Sequence, residues 1–205
     1  MSLIESLVQE GWLKTDSIKE AFKIIRRADF LPEEAKDLAE LNEALPIGYS
    51  QTISQPLVVA FMLEQLQPKL DEKILDIGSG SGWTTALLAQ IVGEKGKIIS
   101  VEIVPELKEF GEKNVAKYGF IEKGIVKTVS GDGSNGYPEE APFDKIIASA
   151  SASSIPAAWK EQIKIGGKIV APVGSSIWTI LKKSETEFEE IEHPGFVFVP
   201  LIDKR

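Results

Sequence analysis

Apolar residues recur at helical spacing through the opening of the chain, then give way to short, continuous apolar runs. Residues 2–10 and 16–27 read as amphipathic helices. Ile18, Ala21, Phe22 and Ile25 share one face of the second, and Asp16 or Ser17 stands where a cap belongs. The periodicity then lapses over residues 30–56, punctuated by Pro32, Pro46, Gly48 and Pro56. A loop of that length in a compact domain is either functional or conceals elements of its own. Residues 56–66 resume as a helix opening on a proline, whose missing N–H costs nothing there. "KILDI" (73–77) is a short buried strand and "WTTALLAQIV" (83–92) a helix.

Strand and helix then alternate with short connections. Residues 96–103 read as a strand, 104–119 as a helix, 124–132 and 142–150 as strands, and 155–164 as a helix. This alternation predicts an α/β fold with a doubly wound, Rossmann-like, mostly parallel sheet and helices on both faces. The end changes character: residues 166–174, 176–184, 188–193 and 195–202 are all strand-like with little between them, so antiparallel strands should close one side. With no repeat or linker in view, one domain spans 1–205. It comprises a helical N-terminal segment and loop (1–56), a core (57–175) and C-terminal strands (176–205).

Composition narrows the chemistry. The 205 residues carry 23 Lys and Arg against 31 Asp and Glu, a net charge of -8. Phosphate-backbone affinity needs clustered cations, so nucleic acid is not an expected partner. No apolar run approaches the ~20 residues of a membrane span, so no membrane role is expected either. The acidic, amphipathic start is not a targeting peptide. A chain without cysteine has no thiolate nucleophile and no disulfide, and suits the cytoplasm. Its one histidine, His193, reads as a solvated loop residue without companions for a metal site.

The informative stretch is "LDIGSGSG" (75–82), where Gly78, Gly80 and Gly82 follow a strand and precede a helix. Ligands of open α/β sheets bind beyond the carboxyl ends of the strands, and glycine there admits positive φ and a close-lying main chain. The dinucleotide pattern G-x-G-x-x-G fails, because its third glycine is replaced by Trp83. An acid, Asp76, precedes the first glycine instead; it would repel a pyrophosphate and favour a sulfonium or ammonium cation. Glu102 ends the next strand, 20 residues after Gly82, where an acid can take both ribose hydroxyls. Asp132 ends the strand after that.

This spacing resembles the S-adenosyl-L-methionine turn of class I methyltransferases, in which an acid placed like Asp132 contacts the adenine amine. The resemblance extends cofactor contacts to Ser79, Ile103 and Gly133, and lets Trp83 flank the methionine end. "LPIGYSQTISQP" (45–56), "GDG" (131–133), "APFDKIIASASASSIP" (141–156), "GGKIVAPVG" (166–174) and "FVFVPL" (196–201) stand in the order seen in the protein-L-isoaspartate O-methyltransferase family. That likeness begins at "RRADFLP" (26–32) and covers nearly the whole chain.

The resemblance implies methyl transfer from S-adenosyl-L-methionine, leaving S-adenosyl-L-homocysteine, to the free carboxylate of L-isoaspartyl residues in damaged proteins and peptides. No metal is expected, and the protein is expected to act as a monomer. The methyl ester would collapse to a succinimide that partly returns to normal aspartate. A carboxylate is already ionised at neutral pH, so such chemistry needs no general base, which suits a chain with so few candidates. The family pattern places Ser54 at the acceptor site as a hydrogen-bond donor, with Thr52 beside it and Ile53 and Gln55 against the substrate. As a bare residue, Ser54 would equally suit a cap on helix 56–66. Val197, Phe198 and Val199 would pair main-chain groups with the substrate peptide; as a bare pattern they read as a sheet edge.

The chain departs from the family pattern at Ser50, where many members carry glycine, and in the serines of the 149–154 loop. Both bear on substrate preference. Two alternatives stay open from sequence: a methyltransferase of another carboxylate, small molecule or base, and a binding protein that keeps the fold without the acceptor chemistry.

Overall fold

The computed structural model describes residues 1–202; positions 203–205 of the expected C-terminal segment lie outside the described residues. Helix α1 (Leu3–Gln9) starts in a capping box: Glu5 N donates to Ser2 Oγ at 3.3 Å and Ser2 N to Glu5 Oε2 at 2.8 Å. Helix α2 (Asp16–Ile24) is capped neither by Asp16 nor by Ser17. Its N-cap is Thr15, and the Thr15 hydroxyl donates to Glu64 Oε2 at 2.7 Å, while Glu64 Oε1 accepts from the main-chain N of Lys14 and Thr15. A carboxylate from a distant helix thus ties down the residues just before this helix, which no local pattern announces. The helix also stops short of residue 27, and Arg27–Phe30 forms a 3₁₀ turn.

The long irregular stretch does conceal structure. A 3₁₀ turn covers Glu33–Leu38, and strands β1 (Leu45–Gly48) and β2 (Gln51–Ile53) make an antiparallel hairpin. Its two-residue tip is Tyr49 (φ +53°) and Ser50 (φ +57°). Tight hairpins want positive φ at both central residues and usually signal it with Asn-Gly; Tyr-Ser carries no such signal. Left-handed backbone costs a non-glycine residue about 1–2 kcal/mol. Ser50→Gly is therefore expected to stabilise the protein by roughly 0.5–1 kcal/mol after the entropic penalty of glycine. A urea midpoint that stays put or falls contradicts this.

Helix α3 (Pro56–Leu66) leads to the sheet: β3 (Lys73–Ile77), helix α4 (Trp83–Val92), β4 (Lys97–Glu102), helix α5 (Pro105–Ala116), β5 (Val126–Ser130), β6 (Phe143–Ala148), helix α6 (Ala157–Gln162), then β7 (Ile163–Val173), β8 (Ser176–Lys182) and β9 (Phe188–Pro194). The strand order is β5-β4-β3-β6-β7-β8-β9. Pairings from β5 through β7 are parallel, and β7–β8 and β8–β9 are antiparallel. Alternate residues feed opposite faces. Ile74 and Ile98 join the apolar cluster of α1–α5, whereas Leu75, Ile77, Ile99 and Val101 pack with Trp159 of α6 on the other face. Helices thus cover both faces, but unequally.

The tail corrects one expectation. Residues 195–202 form no strand of the sheet; only Pro200 makes an isolated bridge, to Ser151. Edge strand β9 is instead lined with exposed Glu189, Glu190 and Glu192, charges that discourage a further strand. His193 belongs to β9, not to a loop, and its ring stands 5.1 Å from Phe61 and 3.2 Å from Thr179 Oγ1.

Candidate active site

β3 lies between β4 and β6, so the chain leaves it in one direction and later returns on the other side, and a crevice opens at this switch point. The glycine turn sits in it. Gly78 N donates to Val101 O at 2.9 Å and Ser149 N to Ile77 O at 2.9 Å, tying the turn to both neighbouring strands. Gly78, Gly80 and Gly82 all have positive φ, at +73°, +51° and +84°.

The acids take up different stations. Glu102 is 6% exposed and clamps the turn: its Oε2 accepts from Gly80 N at 2.8 Å, and its Oε1 from Ile103 N at 2.9 Å and Val104 N at 3.0 Å. It still lines the cleft. Asp76 does not; it is 0% exposed behind the turn. Thr85 Oγ1 donates to its Oδ2 at 2.6 Å, and its Oδ1 has no partner among the described residues. Burial pushes its pKa from 3.8 up to about 7, partly opposed by the Thr85 hydrogen bond. Asp132 Oδ1 accepts from Ser134 N at 2.9 Å, so that acid caps a 3₁₀ turn while its neighbour Gly133 lines the cleft.

The cleft is partly enclosed and opens to solvent. Gly78, Ser79, Gly80, Glu102, Ile103 and Gly133 form one wall, and Thr52, Ile53 and Ser54 form another, beside Trp83. The hairpin roofs the turn so closely that a Cβ on Gly80 would stand 3.3 Å from Ile47 Cδ1. Gly82 lines no cleft. A Cβ there would meet Gly111 O of α5 at 2.8 Å and Val115 Cγ2 at 2.9 Å, so this glycine serves helix packing.

A second cleft adjoins the first. Gln55, Val197 and Phe198 line it, and Thr52, Ser54, Ser149 and Val199 are common to both. Ser54 therefore stands at the junction. Its hydroxyl makes no hydrogen bond among the described residues, and it caps nothing: the α3 N-cap is Gln55, and Leu57 N donates to Asn42 Oδ1 at 3.0 Å. In the C-terminal segment Val199 O accepts from Ser151 N at 2.8 Å, and Ser151 O accepts from Leu201 N at 2.8 Å. Among the described residues the main-chain groups of Val197 and Phe198 have no hydrogen-bond partner, and Val197 is 90% exposed. Of the loop's serines, Ser149 lines both clefts, next to Ala150 in the first; Ser151 binds Gly174 O, and Ser153 and Ser154 face solvent. The loop's effect on cleft polarity thus narrows to Ser149.

Sequence reasoning missed Arg27, which underpins Ser54, and the face of α5 that grips the turn. A Cβ on Gly111 would stand 2.7 Å from Gly80 O, and Asn114 Nδ2 donates to Ser81 O at 3.0 Å. A glycine inside a helical pattern was the available signal for α5.

An open α/β sheet closed by antiparallel strands, with a glycine turn at its switch point and an acid ending the next strand, matches a methyltransferase fold. The family model described as protein-L-isoaspartate(D-aspartate) O-methyltransferase (PCMT) matches residues 1–205, and the chain belongs to that family. A protein-L-isoaspartate O-methyltransferase from Methanopyrus kandleri is 41% identical over 98% of this chain and 89% of its own. One from Thermococcus sibiricus is 40% identical over 98% of this chain and 92% of its own. A Plasmodium falciparum crystal structure bearing the PCMT description, in complex with S-adenosyl-L-homocysteine, superposes with a TM-score of 0.88 at 23% identity. It covers 98% of this chain and 96% of its own. No described helix is long and apolar enough to cross a membrane, and the described residues hold no group of three or more His, Cys, Asp or Glu able to hold a metal ion.

Proposed function

We propose that this protein transfers a methyl group from S-adenosyl-L-methionine to the free carboxylate of L-isoaspartyl residues in damaged proteins and peptides, the first step of their repair. Ser54 carries the reading: its unengaged hydroxyl stands where the glycine-turn cleft meets the cleft along the C-terminal segment. The first cleft fits the donor. It offers main-chain groups of the glycine turn, the Glu102 carboxylate and, at its wall, Trp83. Asp76 and Gly82 would act from behind by shaping the turn, and Asp132 by holding Gly133.

S-adenosyl-L-methionine, when bound, supplies an electrophilic methyl group on a sulfonium sulfur. The protein's task is to hold an ionised carboxylate against it with water excluded. Desolvating that anion requires donors, and the Ser54 hydroxyl is placed to supply one, with Thr52 beside it and Ile53 and Gln55 in the walls. The unpaired main chain of Val197 and Phe198, continued by Val199, would add the substrate peptide as a strand, reading backbone and not side chains. That suits damage in any sequence context. Action as a monomer and as one domain, in the cytoplasm, belongs to the same proposal.

The test is labelled methyl transfer to an isoaspartyl peptide and to its normal-aspartyl twin. Labelling of the first alone is expected; labelling of neither, with the cofactor bound, would leave only a binding protein. Ser54→Ala removes a hydrogen bond to a charged group worth about 1.5–3 kcal/mol, so kcat should fall about ten- to hundredfold with S-adenosyl-L-homocysteine affinity unchanged by calorimetry. Full activity in that variant would remove Ser54 from the acceptor site.

A further inference from the structure

Arg27 is a cation in an unusual place. It is 6% exposed, in the 3₁₀ turn after α2. Its partners are main-chain carbonyls: Nη1 donates to Ala39 O at 3.2 Å and Leu41 O at 2.9 Å, and Nη2 to Glu43 O at 2.7 Å and Ser54 O at 3.3 Å. Nε has no acceptor among the described residues, and Cζ lies 5.5 Å from the centroid of the Trp83 ring. No carboxylate pairs with it at ion-pair distance; Glu40 acts on it only from farther away. Burial lowers its pKa to about 10, which still leaves it charged at neutral pH.

A buried charge whose hydrogen-bond acceptors are all main-chain carbonyls is costly, and a fold that needed only a latch could use neutral donors. Arg27 touches two residues that line the cleft: Ser54, at the acceptor junction, and Trp83. We propose that Arg27 is the positioning residue of the acceptor site, fixing the Ser54 peptide through its fork and supplying the positive charge that an incoming carboxylate anion needs. The carbonyls around it leave its net charge intact, and the Ser54 peptide it holds and the Trp83 ring beside it both border the cleft. The inference rests on the proposed methyl transfer to a carboxylate.

The experiment measures binding of an isoaspartyl peptide in the presence of S-adenosyl-L-homocysteine, by calorimetry, for the wild type, Arg27→Lys and Arg27→Met. Met is expected to bind the peptide at least tenfold more weakly. Lys, which keeps the charge and loses the fork, should fall between Met and the wild type, with S-adenosyl-L-homocysteine at saturation in each case. Equal weakening in Lys and Met, or wild-type binding in Met, overturns the proposal. A second measurement stands even if Met fails to fold: the wild type should prefer the carboxylate peptide at least tenfold over the same peptide with that carboxylate converted to an amide. Equal affinity for the two overturns the proposal. Absence of methyl transfer by the wild type would instead overturn the underlying reading of the reaction, and the Arg27 role with it.

Discussion

Gly111→Ala is expected to destabilise the protein by about 1–3 kcal/mol, although alanine is the better helix former by about 1 kcal/mol. Gly111 lies within α5 with ordinary helical backbone, so no strain is relieved or created by the change itself. What decides the sign is contact. The new Cβ would stand 2.7 Å from Gly80 O, 3.3 Å from Gly82 N and 3.4 Å from Ser81 C, all main-chain atoms of the turn. Main chain cannot swing aside as a flexible side chain can. Either α5 retreats, loosening the Asn114 bond to Ser81 O, or the turn moves into the cleft. Gly80 N is held by Glu102 on the other side, so movement of the turn also disturbs that clamp. The expected result is a lower urea midpoint together with at least tenfold weaker S-adenosyl-L-homocysteine binding. A variant as stable as the wild type, or more so, with unchanged affinity would falsify the close approach of α5 to the turn.

How much of this was legible beforehand depends on where each partner sits in the sequence. Helix α3 and strand β3 were read to the residue, because Pro56 and the apolar run "KILDI" carry local signals. The clustering of Gly78, Ser79, Gly80 and Glu102 in one cleft followed from strand alternation, since parallel strands must end at a common edge. Everything settled by distant partners was invisible. Thr15 turns its hydroxyl to Glu64 and not to the start of α2, Ser54 is free of capping because Asn42 reaches Leu57 N, and Gly82 answers to Gly111. The hairpin at 45–53 escaped notice because its tip spells Tyr-Ser where a turn signal would spell Asn-Gly. The pattern at 195–201 was right in periodicity and wrong in pairing, since side-chain alternation does not say which neighbour supplies the hydrogen bonds.

Asp76 should make the unliganded protein lose stability as pH rises through neutrality. Its folded pKa, pushed up to about 7 by burial, exceeds the ordinary value of 3.8. Below 3.8 both states hold the proton and the group is neutral to stability. Between 3.8 and about 7 the folded state keeps the proton and the unfolded state releases it, so stability falls with rising pH; above about 7 the full penalty remains. A pKa moved that far corresponds to at most about 4 kcal/mol at pH 8. Asp76→Asn cannot ionise, so its melting temperature should exceed that of the wild type at pH 8, and the gap should narrow as pH falls below 7 and close only near pH 3.8. The Thr85 hydroxyl at 2.6 Å keeps its acceptor in the amide oxygen, which makes the substitution a fair one. A wild-type melting curve that is flat from pH 5 to 8, matched by the variant, would mean that Asp76 is ionised in its buried seat. The group is costly where it sits, behind a turn lining a cleft proposed for a cationic ligand, and that gives the expense a purpose: a bound cation would draw the proton off. Binding of S-adenosyl-L-methionine near pH 7 should therefore release a fraction of a proton in the wild type, seen as a heat that depends on the buffer, and none in Asp76→Asn.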